Sequence, residues 1–179
     1  MALPDYFKLA LGTPIIWGEA SATGISLTVT KTLSLDALAD ATGRMGASAD
    51  LGATWDQDYL VQLIVETGTA PTAGNTVELY LAWSHDNTNW PGKVTGSDAA
   101  YPTTVANNKK QLGNPASILV ATNDGNTVLY QNPVIVTAMA RYVAPVVINL
   151  LGQAFRDEAT ASNNDSRVVM TPLVYSIND

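Results

Sequence analysis

Short stretches of the chain alternate apolar and polar residues, and turns rich in Gly, Pro and Asn separate them. Ile25-Ser26-Leu27-Thr28-Val29-Thr30 alternates, and so does Val77-Glu78-Leu79-Tyr80-Leu81-Ala82-Trp83. A period of two puts alternate side chains on opposite faces of a strand and marks half-buried β-structure. The pattern predicts strands over 25–33, 58–67 and 76–84. Tyr59, Val61, Leu63 and Val65 share a face of the second, and Val77, Leu79, Leu81 and Trp83 a face of the third. The loop 68–75 predicts that these two strands pair back on each other, with Glu66 and Glu78 on a solvated polar face.

Further strands are expected at 118–120 and 127–130, where Asn123-Asp124-Gly125-Asn126 gives the Asp-Gly signal of a tight hairpin. Others are expected at 133–137, 141–149 and 166–177. Pro145 and Pro172 each remove a ladder donor, so both strands are expected at sheet edges or bulged there. The last strand is apolar on both faces, which predicts cover from an arm or a partner. Residues 34–39 favour a helical turn too short to stand alone, and 43–51 suits a strand on the opposite side. The loop from Ser84 to about Pro115 is long enough to predict a functional or interfacial role.

Chains made almost wholly of such strands fold as sandwiches or barrels. The fold expected is all-β: one antiparallel β-sandwich over 25–179, of jelly-roll type, preceded by an extended N-terminal arm over 1–24. The arm holds the apolar run Tyr6 to Leu11 and the short run Pro14-Ile15-Ile16-Trp17, broken by Gly12, Gly18 and Gly24. It is expected to cross its own domain or dock on a neighbour, so that its removal leaves a folded sandwich.

Composition narrows the functional classes. At 179 residues the chain is one domain by length, able to bury roughly 70% of its unfolded surface. It has no cysteine, which excludes disulfides and thiolate metal sites. Charged residues are 14%, low against about 25% in typical domains, and Ser, Thr, Asn and Gly stand in their place. Such a surface suits extended contacts with copies of itself or with neighbours. The net charge is −7 with nine Lys and Arg, and Lys109-Lys110 is the sole basic doublet. That argues against phosphate-directed nucleic-acid binding. Met1 to Asp5 lacks a signal-peptide pattern and no apolar run is long enough to span a bilayer, so no membrane association is expected.

The chemistry-bearing residues are few. The single histidine, His85, lies between Ser84 and Asp86, but neighbours in sequence rarely converge as a triad, and a solvated imidazole is the expected reading. Glu66 and Glu78 would make a glycosidase pair only if they faced a cleft about 5–10 Å apart. Asp86-Asn87-Thr88-Asn89 and Asn163-Asn164-Asp165 offer oxygen ligands without the spacing of a calcium loop. No catalytic, metal or cofactor residue is therefore assigned, and the protein is not expected to be an enzyme. Among the aromatics, Trp17, Trp55, Trp83, Trp90, Tyr80 and Tyr101 are candidates for a sugar platform or for interface anchors. Trp83 is phased with the core, and Trp90 is the best exposed. The candidate interface is Tyr6, Phe7, Ile15, Ile16, Trp17, Trp90 and Tyr101.

Thr76 to Asp86, then Trp90-Pro91-Gly92, resembles a segment of small tailed-phage virion proteins, in which a strand ending Tyr-Leu-Ala meets a Ser-x-Asp loop and an aromatic-Pro-Gly turn. Arg141-Tyr142-Val143 with Asn149 to Phe155 is similar to their late strand, and Ala37 to Arg44 and Asp50-Leu51-Gly52 also fit. The resemblance runs over about 25–177 and leaves most of the arm outside it. It implies a jelly-roll sandwich made in the host cytoplasm and displayed on the virion as a head-decoration, collar or tail component. Its implied partners are its own copies, with a trimer favoured, and the major capsid protein or another virion protein. A carbohydrate-binding module for host attachment and a glycan-active enzyme are the rivals from other classes.

Overall fold

The computed structural model describes residues 6–19, 28–102, 106–122, 127–157 and 166–178, and for 6–8, 106 and 176–178 the backbone alone. The strands are β1 (Tyr6–Leu11), β2 (Ile15–Gly18), β3 (Lys31–Thr32), β4 (Gly43–Met45), β5 (Ala49–Asp50), β6 (Asp58–Glu66) and β7 (Thr76–Ser84). They continue with β8 (Ala99–Tyr101), β9 (Ser117–Val120), β10 (Val128–Tyr130), β11 (Val134–Thr137), β12 (Tyr142–Leu150) and β13 (Arg167–Asn178). A short 3-10 turn at Pro91–Lys93 and one helix, α1 (Ala106–Gln111), interrupt them. Of the expected strand at 25–33, residues 28–33 are described and only Lys31–Thr32 (β3) is strand; residues 25–27 and the Asp-Gly turn at 123–126 lie outside the described residues.

Two sheets form an antiparallel β-sandwich. Sheet A has the order β10-β6-β13-β2-β3, with β1 also beside β13 and β11 beside β6. Sheet B has the order β8-β4-β12-β7-β9, with β5 also beside β12. Every pairing is antiparallel except β2 with β3. One set of pairings is nested along the chain, β1 and β2 with β13, β4 and β5 with β12, β6 with β10 and β11, and β7 with β9; β6 with β13, β7 with β12 and β4 with β8 cross it. The inner faces meet in one apolar core built from Trp17, Val61, Leu63, Val65, Val168 and Met170 of sheet A and Val77, Leu79, Leu119, Val143 and Val147 of sheet B.

The pairing expected between 58–67 and 76–84 is corrected. β6 belongs to sheet A beside β13, and β7 to sheet B beside β12. Their apolar faces do point inward, but across the sandwich toward each other. Alternation fixes which face of a strand is buried and carries no information about its lateral neighbour.

The two prolines are also placed differently from the expectation, since β12 and β13 are both interior strands. The neighbouring strand is interrupted opposite each ring. β4 pairs with Val146 to Ile148 and β5 with Tyr142 and Val143, so Pro145 faces the gap between them. β2 pairs with Arg167 to Met170 and β1 with Leu173 to Asn178, so Pro172 faces the gap between those two. The missing donors therefore leave no ladder bond broken.

Residues 90–101 and Leu112 of the long connection cover the outer face of sheet B. Val94 and Tyr101 pack there with Met45, Tyr80, Ala82, Ala144, Val146 and Ile148, and Trp90, Ala99 and Leu112 lie against them. This second apolar layer explains why β12 is buried over seven consecutive residues, Val143 to Asn149, as a strand covered on both faces must be.

Candidate interface

The residues with chemical potential are placed apart or paired off. Ser84 donates to Asp86 Oδ1 at 3.1 Å, while the His85 side chain is exposed. Asp86 instead organises the turn: the Thr88 and Asn89 amides and the Asn89 side chain donate to its carboxylate at 2.9, 2.8 and 2.6 Å. Those donors, the Asn89 amide foremost, hold its pKa well below the usual carboxylate range. Glu66 and Glu78 stand on different sheets. Glu66 is buried rather than solvated and pairs with Arg156. Glu78 accepts from Tyr80 Oη at 3.0 Å and from Lys109 Nζ at 2.5 Å. Burial, and then the bond to Glu78, raise the Tyr80 pKa. Among the described residues no three His, Asp or Glu side chains gather as a metal site; the 163–165 run lies outside them. Nor, among them, is any helix long and apolar enough to cross a membrane.

A hollow of about 520 Å³ beside Thr67, Thr69, Gln153 and Arg156 has its polar groups turned on one another. Thr69 Oγ1 and Gln153 Oε1 are 2.5 Å apart, and Gln153 Nε2 donates to the Thr69 carbonyl at 2.7 Å.

The residues singled out from sequence as an interface occupy varied places. Ile16, Trp17 and Tyr101 are buried within their own chain, and Ile15 is half-buried against the core. Trp17 is fully enclosed, and its Nε1 donates to the Ala47 carbonyl at 2.7 Å. Residues 15–18 are thus a strand of sheet A. Trp90 is half-buried on the outer face of sheet B, and its Nε1 and the Tyr101 hydroxyl are enclosed without a hydrogen-bond partner. The Tyr6 and Phe7 backbones pair with Asn178 and Ile177; their side chains lie outside the described residues.

Most of the exposed apolar side chains fall in two places: Leu9, Leu11 and Tyr175 on β1 and β13, and a second set at the far edges of the two sheets. β9 is an edge of sheet B, and β10 and β11 form the edge of sheet A on the same flank. On these strands Ile118, Val120, Tyr130 and Ile135 are 47, 56, 62 and 66% exposed, and Met139 just beyond is 73% exposed. Ile118 and Val120 alternate with Leu119 and face out from sheet B, and Tyr130 and Ile135 alternate with Leu129 and Val136 and face out from sheet A; a separate groove of about 370 Å³ is lined by Leu81, Trp83, Gln111, Leu112, Asn114, Val136 and Met139. The groove exists because β9 pairs with β7 only over Thr76 to Leu79. Beyond it, Tyr80 to Ser84 have no strand on that side among the described residues. A sequence signal was present: between Lys110 and Arg141 there is one charged residue, Asp124. Isolated edge strands ordinarily carry charges that prevent association.

No family model matches the chain, and no curated protein or solved structure matches it either.

Proposed function

We propose that the chain is a structural protein of a tailed-phage virion, an oligomeric jelly-roll subunit of the particle surface whose best-fitting role is capsid decoration. The observation that carries this reading is that the edge strands β9, β10 and β11 hold no charged residue and expose Ile118, Val120, Tyr130 and Ile135 on a chain of net charge −7. Edge strands that carry exposed apolar side chains and no charge suit addition of a partner, and interface centres are depleted in charge. The nested strand pairing supports the jelly-roll reading, an eight-strand, two-sheet architecture common in viral shells. The segments 76–92 and 141–155 support the phage assignment through their resemblance to small virion proteins.

The role is passive. Individually weak contacts add up where the particle offers many equivalent sites, because each further contact is effectively intramolecular. The test is fractionation. Particles from a lysate of the producing host, banded on a density gradient and washed in high salt, should carry the chain in fixed stoichiometry. Recovery of the chain only in the soluble fraction would overturn the proposal.

A further inference from the structure

We propose that the groove between the two sheets beside β7 is a binding site for a neutral sugar, the pyranose ring of a mono- or oligosaccharide. The site goes beyond the structural role above and does not depend on it. Its place follows from the topology. β9 leaves β7 at Leu79, so beyond that point the sandwich is open between β7 and β11. The opening of about 370 Å³ falls within the size of small-ligand sites, about 300–1,000 Å³.

Three features of the wall select the ligand. The first is aromatic. Trp83 packs against the core without being enclosed, and it lines the groove with Leu81, Val136 and Met139. The C–H face of a sugar ring, slightly positive, matches the negative face of an indole and the apolar side chains beside it. The second is a pair of amides. Gln111 Oε1 accepts from the Gly92 amide at 3.0 Å, which holds the side chain in place and leaves its NH2 uncommitted. The exposed Asn114 side chain makes no hydrogen bond among the described residues. Each amide group carries donors and an acceptor, and so does a sugar hydroxyl. From Tyr80 to Ser84 the β7 backbone groups that point away from β12 also lack a ladder partner among the described residues. The third is neutrality: no charged side chain lines the groove. A phosphate, carboxylate or ammonium ligand would give up its hydration and meet no counter-charge. A neutral polyol instead exchanges its hydrogen bonds to water for bonds to the amides. The lining also holds no carboxylate, and cleavage of a glycosidic bond needs two.

The experiment presents the full chain to an array of neutral and acidic oligosaccharides, followed by titration calorimetry with the glycans that bind and with the methyl glycosides of their sugars. The wild type should bind neutral pyranosides. Gln111→Ala and Asn114→Ala should each weaken binding about 3- to 10-fold, the share of a neutral hydrogen bond, and the two together about 10- to 100-fold. Trp83→Ala should weaken it about 100-fold or more, as loss of an aromatic anchor does. Trp83 also packs against the core, so the two amide variants, both at exposed positions, carry the test if Trp83→Ala loses its cooperative unfolding transition. Trp55→Ala is the control, since Trp55 is 39% exposed and lies outside the groove. It should bind as the wild type does. Binding of methyl glycosides marks a free sugar as the ligand, and binding that needs several linked sugars marks a polysaccharide; either supports the site. No binding on the array, binding confined to acidic glycans, undiminished binding by the folded double variant, or loss of binding in Trp55→Ala alone overturns the inference. If the chain binds sugar but never bands with particles, the site stands and the virion reading fails. If it bands with particles and binds no sugar, the reverse holds.

Discussion

The Gly46 amide donates to the Pro145 carbonyl at 2.9 Å, and a Cβ placed on Gly46 would lie 2.9 Å from Pro145 Cγ and 3.2 Å from Trp17 Cδ1. Gly12 and Pro172 repeat the relationship: the same bond at 2.9 Å, and the same 2.9 Å approach to the ring. In each case a proline on an interior strand faces a break in its neighbour, and a glycine at the break comes close enough to bond the proline carbonyl. The ring occupies the room a side chain would need.

Gly46→Ala should therefore destabilise the fold by about 1–3 kcal/mol, the usual cost of overpacking a close contact. Gly68→Ala is the comparison, since nothing lies within 4 Å of its Cβ position. It should change stability by no more than about 0.5 kcal/mol. Urea denaturation of both variants reads the difference. Equal midpoints would mean that the Pro145 ring moves aside freely.

Burial along β7 departs from simple alternation, and mutation should show it. Leu79 faces the sandwich core, but Tyr80, pointing the other way, is 2% exposed beneath Val94 and Tyr101. Leu79→Ala should cost about 2–5 kcal/mol and Tyr80→Ala about as much, because both leave cavities. On β9 the alternation is real: Leu119 is 3% exposed between Ile118 and Val120 at 47 and 56%. Leu119→Ala should cost about 2–5 kcal/mol, and Ile118→Ala and Val120→Ala about 0.5 kcal/mol or less. A denaturation series over both strands distinguishes the plateau on β7 from the sawtooth on β9.

That contrast shows what was legible in the chain. The inward faces of β6 and β7 could be read because Val61, Leu63, Leu79 and Leu81 obey the period of a half-buried strand. Their assignment to different sheets could not, since lateral pairing is decided by β13 and β12, which come about 110 and about 65 residues later. The prolines were misleading for a related reason: Pro145 looked like an edge signal because its compensation, Gly46, is remote in sequence. Tyr80 and Ala82 read as the polar side of an alternation, but Val94 and Tyr101 close over them. Trp17 read as part of an arm because four residues carry too little periodicity to reveal a strand. The flank left its trace as missing charge between Lys110 and Arg141, a signal of composition rather than of any motif.

Acid should weaken the fold through two carboxylates. Asp98 is partly buried, which raises its pKa, but bonds from Arg44 at 2.6 Å and from the Ser34 hydroxyl and amide at 2.8 and 3.1 Å outweigh this and lower it. Asp50 is lowered to about 2, chiefly by Arg141 and then by the Gly52 amide. A carboxyl whose folded pKa lies below its unfolded value near 3.9 stabilises fully above that value. It loses the contribution as pH falls through the folded value. The denaturation midpoint should thus fall between about pH 4 and pH 2, and Asp98→Asn should shallow that fall while lowering stability at pH 7. An unaltered slope in the variant would show that Asp98 is not linked to folding.

At the Ser84–Asn89 turn the carboxylate matters and the imidazole does not. His85→Ala should shift stability by less than about 0.5 kcal/mol, as at ordinary exposed positions. Asp86→Ala removes the acceptor of the Thr88 and Asn89 amides. Amide exchange at those two residues should accelerate in Asp86→Ala and stay unchanged in His85→Ala. Acceleration in both variants would mean that the imidazole also holds the turn.

The N-terminal strands divide by what they bury. β1 lies along Leu173 to Asn178 of β13, and its Leu9 and Leu11 are 57 and 66% exposed, so it adds ladder bonds with little apolar burial there. β2 pairs with Arg167 to Met170 and brings Ile16 and Trp17 into the interior at 3 and 0% exposure. Trp17→Ala should cost about 3–5 kcal/mol from the cavity, a large share of the roughly 5–15 kcal/mol that holds a domain together. Deleting residues 1–13 should then leave a chain with a cooperative thermal transition, whereas deleting 1–18 should abolish it. Differential scanning calorimetry of the two truncations makes the comparison. A cooperative transition in the longer deletion would return residues 15–18 to the status of a dispensable arm; loss of the transition in the shorter one would show that the β1 ladder is needed to keep β13 in place.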